Sequence, residues 1–448
     1  MNMPSRPNEQ QTLQSDLQFV QWFRSVAPYF HTFRGKTFVV AFGGEVVDEG
    51  QFTGLAHDLN LLHSAGIRVV VVHGSRPQIE SQLAQRNATS QYHEGLRITD
   101  QVALECVKEA VGLLRVEIDA LLSLGLRNTP MAGGVINTVS GNFITAQPMG
   151  VYEGVDYQYS GTVRKIDAKA IIGCLDAGNI VIVSPIGYSP TGEVFNLSME
   201  DVAVATARAL QAEKLIFFAD DMVHNDAEEV QPELSAQEAE SLLEGDSLTP
   251  DTRLYLAHAV EAVRGGVPRA HVVTRNTDGA LLIELFTHEG SGCMVTADKL
   301  ERMRRATIDD VGGIIQLIEP LESDGTLVRR NREMLEREIG RFTVLEHDQM
   351  IIGCAALYPF AATQAGELAC LVVKSEYRDT GHGEKLMQAI EAQARNAGMH
   401  KLFLLTTRTA QWFVERGYHE ESIDTLPEEK RDLYNFQRRS KVLVKPLI

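Results

Sequence analysis

Apolar residues along this chain fall into two alternating patterns. Residues 37–42 (TFVVAF), 67–72 (IRVVVV), 179–183, 215–219, 271–274 and 281–285 are short continuous runs. Runs of that length, rich in β-branched residues, predict strands buried on both faces. Between them lie segments with helical spacing, such as residues 55–64. Strands alternating with helices predict a parallel sheet covered on both sides, hence three layers. Ahead of the first run, Leu13, Leu17, Val20, Phe23 and Val26 recur at helical intervals and predict an amphipathic helix over 13–30, with Pro28 near its end. Residues 226–250 are acidic and polar, with Pro232 and Pro250, and predict a surface helix with flanking loops.

The glycine-rich stretch 287–295 (THEGSGCMV) closes this pattern, and another begins near Arg302. A strand is expected to start at Arg304-Arg305-Ala306. Thr307 then reads as the cap of a helix whose first turn carries Asp309 and Asp310. Strands are expected at 342–346, 350–358, 367–373 and 401–405, with a helix over 381–397. The division falls at 296–301. It separates a leading helical segment (1–35) and a first domain (36–295) from a second domain (296–448).

The most informative residues are GELACLVVKSEYRDTGHGEKL, 366–386. A Leu-Val-Val strand leads into Arg378-Asp379-Thr380-Gly381-His382-Gly383, which opens an amphipathic helix. Glycines at a helix N-terminus let backbone N–H groups approach an anion, and the helix dipole favours negative charge there. R-x-x-G-x-G alone is a weak signal; between such a strand and such a helix it is a strong one. This stretch resembles the GCN5-related N-acetyltransferase (GNAT) family, over about 302–446. Trp412-Phe413-x-x-x-Gly417-Tyr418 resembles that family's late helix and turn.

The resemblance implies a mixed-sheet α+β domain that binds acetyl-CoA as cosubstrate, needs no metal, and transfers the acetyl group directly to an amine. Arg378, Thr380, Gly381, His382 and Gly383 are then expected around the pyrophosphate, and the backbone of Leu371, Val372 and Val373 at the thioester carbonyl. An α-ammonium has a pKa of about 8, so a base must take its proton. Glu367, at the start of the central strand, is the expected base, and Thr406 is expected to hold the leaving thiolate or a water. Arg330 and Arg439 stand in basic clusters on either side of this core, and arginine forks bind carboxylates bidentately. With Cys370 they are the candidate substrate contacts. The spacing itself points only to an anionic substrate.

Residues 38–44 (FVVAFGG) and 69–79 (VVVVHGSRPQI), with GLRITD at 95–100, resemble the amino-acid kinase family, over about 36–295. That family places a lysine where this chain has Ala41 and another where it has Tyr255, and Ser75-Arg76 replace phosphate-facing glycines. Phosphoryl transfer depends on cations at the transferring group, so kinase activity is not expected. Residues 271–295 resemble the effector segment of arginine-inhibited members, with Glu284 expected to meet a guanidinium and Gly290 and Gly292 to close over it.

Composition fits these readings. The chain of 448 residues carries 42 basic and 60 acidic residues, a formal charge of -18, and is 44% hydrophobic. So acidic a chain is a poor polyanion binder. Its five cysteines (106, 174, 293, 354 and 370) are scattered and have no C-x-x-C spacing, which argues against a disulfide framework or structural zinc. No signal peptide or membrane-length apolar run is evident, so a cytoplasmic, membrane-free protein is expected.

A kinase-like domain joined to an acetyltransferase resembles the bacterial N-acetylglutamate synthase family. It implies acetylation of L-glutamate as the first step of arginine biosynthesis, inhibition by L-arginine, and a homo-oligomer, in this family often a hexamer, built partly through the leading helix. An active acetylglutamate kinase, an acetyltransferase of another amine and a non-catalytic arginine sensor stay open at this stage. Purified protein given ATP and L-glutamate is expected to form no glutamyl phosphate in a hydroxamate assay; a signal above the no-enzyme blank refutes the expectation that the first domain has lost kinase activity.

Overall fold

In a computed structural model the described residues are 9–447, except 94, 126, 288–289, 299–300, 349, 379–380, 433 and 436–439; side chains are described from residue 17 onward, Gln18 excepted. The chain divides after Asp298 into two compact units.

The first unit is built on an eight-stranded sheet. Its order is Glu233–Ser235, Gly292–Thr296, Arg269–Thr274, Lys214–Ala219, Thr37–Phe42, Arg68–His73, Asn179–Val183 and Asn137–Ser140. Every pairing is parallel except Arg269–Thr274 with Gly292–Thr296. Alternate residues of one strand serve opposite cores: Val39 and Ala41 pack into one cluster, Phe38, Val40 and Phe42 into the other. That two-sided burial is why the strands read as unbroken apolar runs. A smaller sheet, Val194–Asn196, Ile186–Tyr188, Ile144–Pro148 and Gly161–Ile166, was not foreseen, because its strands are short and mixed in polarity.

Three local expectations need correction. Residues 281–285 are not a strand: Ala280–Phe286 is a helix, entered through Gly279 at φ 74°. Its buried Leu281, Glu284 and Leu285 follow helical spacing, which so short a segment, with four of its five residues apolar, conceals. Arg304-Arg305-Ala306 does not begin a strand but ends one, Glu301–Arg305. The acidic stretch 226–250 holds, besides the helix Ala236–Leu243, an edge strand, Glu233–Ser235. The leading helix, Glu9–Phe33, continues through Pro28.

The second unit has a seven-stranded mixed sheet. Its order is Glu301–Arg305, Phe342–His347, Met350–Phe360, Ala365–Val373, Lys401–Thr406, Lys441–Pro446 and His419–Glu421. Only Ala365–Val373 and Lys401–Thr406 run parallel. Helices Val311–Ser323 and Arg332–Glu338 cover one face through Val311, Ile314, Ile318 and Leu335. Helix His382–Asn396 covers the other through Leu386, Met387, Ile390 and Ala394.

The turn at Thr307 is held by Asp310. Its carboxylate accepts from the Thr307 backbone N–H at 2.7 Å and from two Arg304 nitrogens at 2.7 and 2.8 Å. The Arg304 bonds lower its pKa to about 2. A depressed carboxylate stabilises above its unfolded pKa of 3.8 and loses that contribution as pH falls through about 2. Asp310→Asn is therefore expected to cost about 1–3 kcal/mol at neutral pH, with the gap from wild type closing as pH drops from about 4 towards 2. Urea titrations of both proteins across that range check it.

Candidate active and effector sites

The catalytic region forms where two strands part. Ala365–Val373 pairs with Lys401–Thr406 only at Ala365, Gly366 and Glu367. Beyond Glu367 the two strands share no ladder, which leaves a wedge in the middle of the sheet. On its other edge the same strand pairs with Met350–Phe360, and the register slips between Cys354 and Ala356. Opposite the slip stands Cys370, a non-glycine residue at φ 54°. The extra residue reverses the side-chain alternation. Leu368 packs on the His382–Asn396 face, whereas Cys370 and Val372 pack on the opposite one.

The bulge also aims the backbone. The Lys374 N–H bonds to Ile352 O at 2.8 Å, toward the neighbouring strand. By alternation Val372 faces the same way, and the N–H groups of Leu371 and Val373 face the wedge. Of the three residues expected at a thioester carbonyl, Leu371 and Val373 turn their N–H groups to the wedge and Val372 turns its own to the neighbouring strand.

At the far end of the strand the backbone turns through Ser375–Tyr377 into the helix His382–Asn396. Gly381 caps that helix at φ 84°, a conformation that favours glycine. The first intrahelical bond back to Gly381 O comes from Lys385 at 3.0 Å, so the N–H groups of the helix's first turn, from His382 to Glu384, have no intrahelical acceptor. Arg378 is exposed, and its Nε bonds to Val373 O at 3.2 Å, tying the turn to the wedge strand. Thr380 lies outside the described residues. The His382 ring is buried and bonds Tyr377 O and Glu301, so what it offers an anion is its backbone rather than its imidazole. A Cβ on Gly383 would lie 3.4 Å from Trp412, an ordinary contact, so packing alone does not require glycine there.

Glu367 is buried at the apex of the wedge, 7% exposed. Its Oε1 lies 2.7 Å from Lys430 Nζ, a partner on the four-residue helix Glu428–Arg431 that sequence reasoning missed. Nothing in the local pattern marks Lys430, because the pairing spans more than sixty residues. Arg330 reaches the same place. Its half-buried guanidinium lies in the field of Cys370, Tyr358 and Glu367, and its buried Nε has no acceptor among the described residues. Tyr358 OH donates to Glu338 at 2.9 Å beside it. Arg330, Cys370 and Glu367 therefore converge in the structure, whereas Arg439 lies outside the described residues. Thr406 stands on the wedge's other strand, but its hydroxyl is engaged with Thr409 Oγ1 at 3.0 Å and accepts from the Thr409 N–H at 3.2 Å. In this structure it caps the turn that follows.

In the first unit, Glu284 belongs to a buried relay. Lys214 Nζ lies 3.0 Å from His271 Nε2, and His271 Nδ1 lies 2.6 Å from Glu284 Oε1. The backbone N–H groups of Ser291 and Gly292 donate to Glu284 Oε2 at 2.8 and 2.9 Å. Burial alone would raise the pKa of Glu284, but these bonds hold it below its ordinary value. Burial, with Lys214 beside it, pushes His271 down to about 4, so the imidazole is neutral. Gly290, at φ 67°, leaves room for the carboxylate, since a Cβ there would lie 2.6 Å from Glu284 Oε2. Three of roughly four lone-pair positions on Glu284 are in use, which leaves one for a further donor. The leading helix packs beside this relay: Tyr29, Phe30 and Phe33 meet Phe286, and Lys214 Nζ lies 5.2 Å from the Phe33 ring centroid.

The kinase-like sheet end carries acids where a phosphate would need cations. A Cβ on Gly43 would lie 2.0 Å from Glu45 Oε2, and one on Gly44 2.1 Å from Gln78 Oε1. Tyr255 stacks on Phe217 with centroids 5.3 Å apart. Burial, reinforced by Asp220 and Glu45, raises Asp251 to about 6.

The amino acid kinase family model matches residues 36–274, and the acetyltransferase (GNAT) family model matches 314–418. The amino-acid acetyltransferase of Ralstonia nicotianae is 53% identical over 446 residues, 99% of this chain and 97% of its own length. That of Pseudomonas putida is 50% identical over 434 residues, 96% and 99% of the two chains. N-acetylglutamate synthase from Neisseria gonorrhoeae, 40% identical and covering 96% of this chain and 99% of its own, superposes with a TM-score of 0.87 in its complex with coenzyme A and L-arginine. The same synthase with coenzyme A and N-acetyl-glutamate gives 0.61. With a parted-strand wedge in one unit, a phosphate cradle filled by Glu45 and Gln78 in the other, and relatives that match over 96–99% of it, the chain belongs to the family of amino-acid acetyltransferases and N-acetylglutamate synthases.

Proposed function

We propose that this enzyme moves the acetyl group of acetyl-CoA to the α-amine of L-glutamate, giving N-acetyl-L-glutamate and CoA, and so opens arginine biosynthesis. The observation that carries this reading is the wedge, with outward N–H groups on one wall and Glu367 and Arg330 at its apex. Binding of coenzyme A with N-acetyl-glutamate by the Neisseria gonorrhoeae synthase supports the choice of substrate.

In this reading the turn from Arg378 through Thr380, Gly381 and His382 to Gly383 holds the diphosphate by N–H groups, charge and helix dipole. The thioester lies along 371–373, its carbonyl polarised by the Leu371 and Val373 N–H groups. The amine nitrogen forms a bond to the carbonyl carbon, the C–S bond breaks, and the thiolate leaves and takes up a proton. Glu367 receives the proton that the ammonium must lose, directly or through water. Its tie to Lys430 means that the incoming ammonium exchanges with a lysine ammonium on the same carboxylate. Arg330 and Arg439 pair with the substrate carboxylates, Cys370 shapes the pocket beside them, and Thr406 steadies the thiolate side.

We assign the Lys214–His271–Glu284 relay, with Gly290 and Gly292, to L-arginine, which acts as inhibitor. The Neisseria gonorrhoeae complex with coenzyme A and L-arginine supports an arginine site in this family. We further assign the leading helix to homo-oligomer assembly, as a hexamer. Its first half exposes Leu17, Phe19, Trp22 and Phe23, whereas its second half packs on Phe286 beside the relay. The working location is the cytoplasm. Among the described residues no helix is long and apolar enough to cross a membrane.

Three outcomes test these assignments. In a thiol-release assay with acetyl-CoA and L-glutamate, Glu367→Gln is expected to lower kcat by about 10²–10⁴-fold; unchanged turnover removes it as the base. Arg439→Ala is expected to raise the glutamate KM by about 10–100-fold, the loss of one charged contact, with coenzyme A affinity intact by calorimetry; unaltered glutamate kinetics overturn the substrate assignment. Arginine is expected to inhibit with a coupling of about 1–3 kcal/mol, and Glu284→Gln to shift its midpoint upward by about tenfold or more; an unmoved midpoint dismisses the relay as the effector site.

A further inference from the structure

The first unit holds a cavity of about 290 Å³ that none of these roles uses. It lies between the helix Phe52–Ser64 and the segment after the strand Arg269–Thr274, with Gln51, Leu55, Asp58, Phe218, Arg275 and Asp278 among its walls. Asp58 is 7% exposed, and its carboxyl has no hydrogen-bond or ion-pair partner among the described residues. Asp278 is brought beside it by a glycine. Gly54 precedes Asp58 by one helical turn, and a Cβ on Gly54 would lie 2.4 Å from Asp278 Oδ1. Both carboxyls therefore sit on one face of the helix. Gln51 Oε1 is buried nearby with no donor.

A lone buried carboxyl is costly unless something pairs with it. Arg275 already faces Glu49 at 3.8 Å, so it does not neutralise the two aspartates, and the lining keeps negative charge in excess, which suits a cation. The volume is near the lower end of small-molecule pockets, about 300 Å³, and far exceeds a bare ion. Divalent metals want about six or more oxygens at short range, whereas Leu55 and Phe218 give this cavity an apolar wall. We propose that it binds a small organic cation with N–H donors, an alkylammonium or a guanidinium, held by Asp58 and Asp278. Burial and the neighbouring Asp278 push the ligand-free Asp58 up to about 7, consistent with a charge waiting for its partner. The site is separate from the arginine relay: Glu284 lies one turn beyond the cavity-lining Ala280 but bonds to His271 and Gly292.

The test titrates the full-length protein with n-butylammonium chloride and ethylguanidinium chloride, followed by calorimetry and thermal unfolding. L-arginine, tetramethylammonium chloride and magnesium chloride form separate arms. Saturable one-to-one binding of n-butylammonium or ethylguanidinium is expected, at least tenfold tighter than tetramethylammonium, which has no N–H. Asp58→Asn is expected to weaken that binding at least tenfold while raising the Tm of the ligand-free protein. Gly54→Ala, which displaces Asp278, should weaken it comparably and serves if Asp58→Asn fails to fold. Glu284→Gln should leave n-butylammonium binding unchanged whatever it does to L-arginine. Undiminished binding in both Asp58→Asn and Gly54→Ala, saturation by magnesium alone, equal loss in Glu284→Gln, or no saturable binding of either organic cation overturns the proposal.

Discussion

A strand in the middle of a sheet must satisfy its backbone on both edges, and in the second unit Ala365–Val373 does so on one edge only beyond Glu367. An N–H removed from bulk water without a partner is costly, so the parted edge calls for something to bond there. The left-handed Cys370 makes this arrangement stable. It moves Cys370 and Val372 into the core with Val311, Ile314 and Leu335 while keeping Leu368 in the core beneath the long helix. The opening is therefore part of how the unit folds. Glu367 sits at its apex because that is the last residue paired on both sides, and the helix His382–Asn396 follows because the same strand runs out into it.

The first unit answers a different constraint. Its parallel sheet keeps the architecture of a phosphoryl-transfer fold, but Ala41, Tyr255 and the Glu45 carboxylate over Gly43 leave the strand ends acidic and filled. The polar groups that still converge are the Lys214–His271–Glu284 relay and the aspartate pair over the helix Phe52–Ser64. Both involve the segment 269–292. The leading helix packs against Phe286 in that segment, so a change at the relay and a change in what covers the exposed aromatic residues of that helix bear on the same few side chains.

Much of this was legible in the sequence because the signals were local. Runs such as TFVVAF report two-sided burial, and R-x-x-G-x-G after a strand marks the left-handed Gly381 at which the helix His382–Asn396 begins. Residues 281–285 misled because a five-residue segment of four apolar residues and Glu284 fits either period, and the deciding feature was the left-handed Gly279 before them. Lys430 was invisible because its ion pair with Glu367 is made by the tertiary fold. The direction of the His382 ring, turned to Glu301, was likewise settled by a strand eighty residues upstream. Thr406 was placed on the right strand, yet sequence could not show that its hydroxyl would be engaged by Thr409.

The backbone at Cys370 also limits how this chain can drift. Side chains branched at Cβ are strongly disfavoured at φ 54°, whereas glycine and asparagine tolerate it. A natural variant carrying valine or isoleucine there would face a choice between straightening the strand, which returns its edge to an ordinary ladder and shuts the opening, and bearing the steric strain. Divergence at this position should thus be narrower than its modest size and apolar surroundings suggest, for reasons of backbone geometry before any question of chemistry arises.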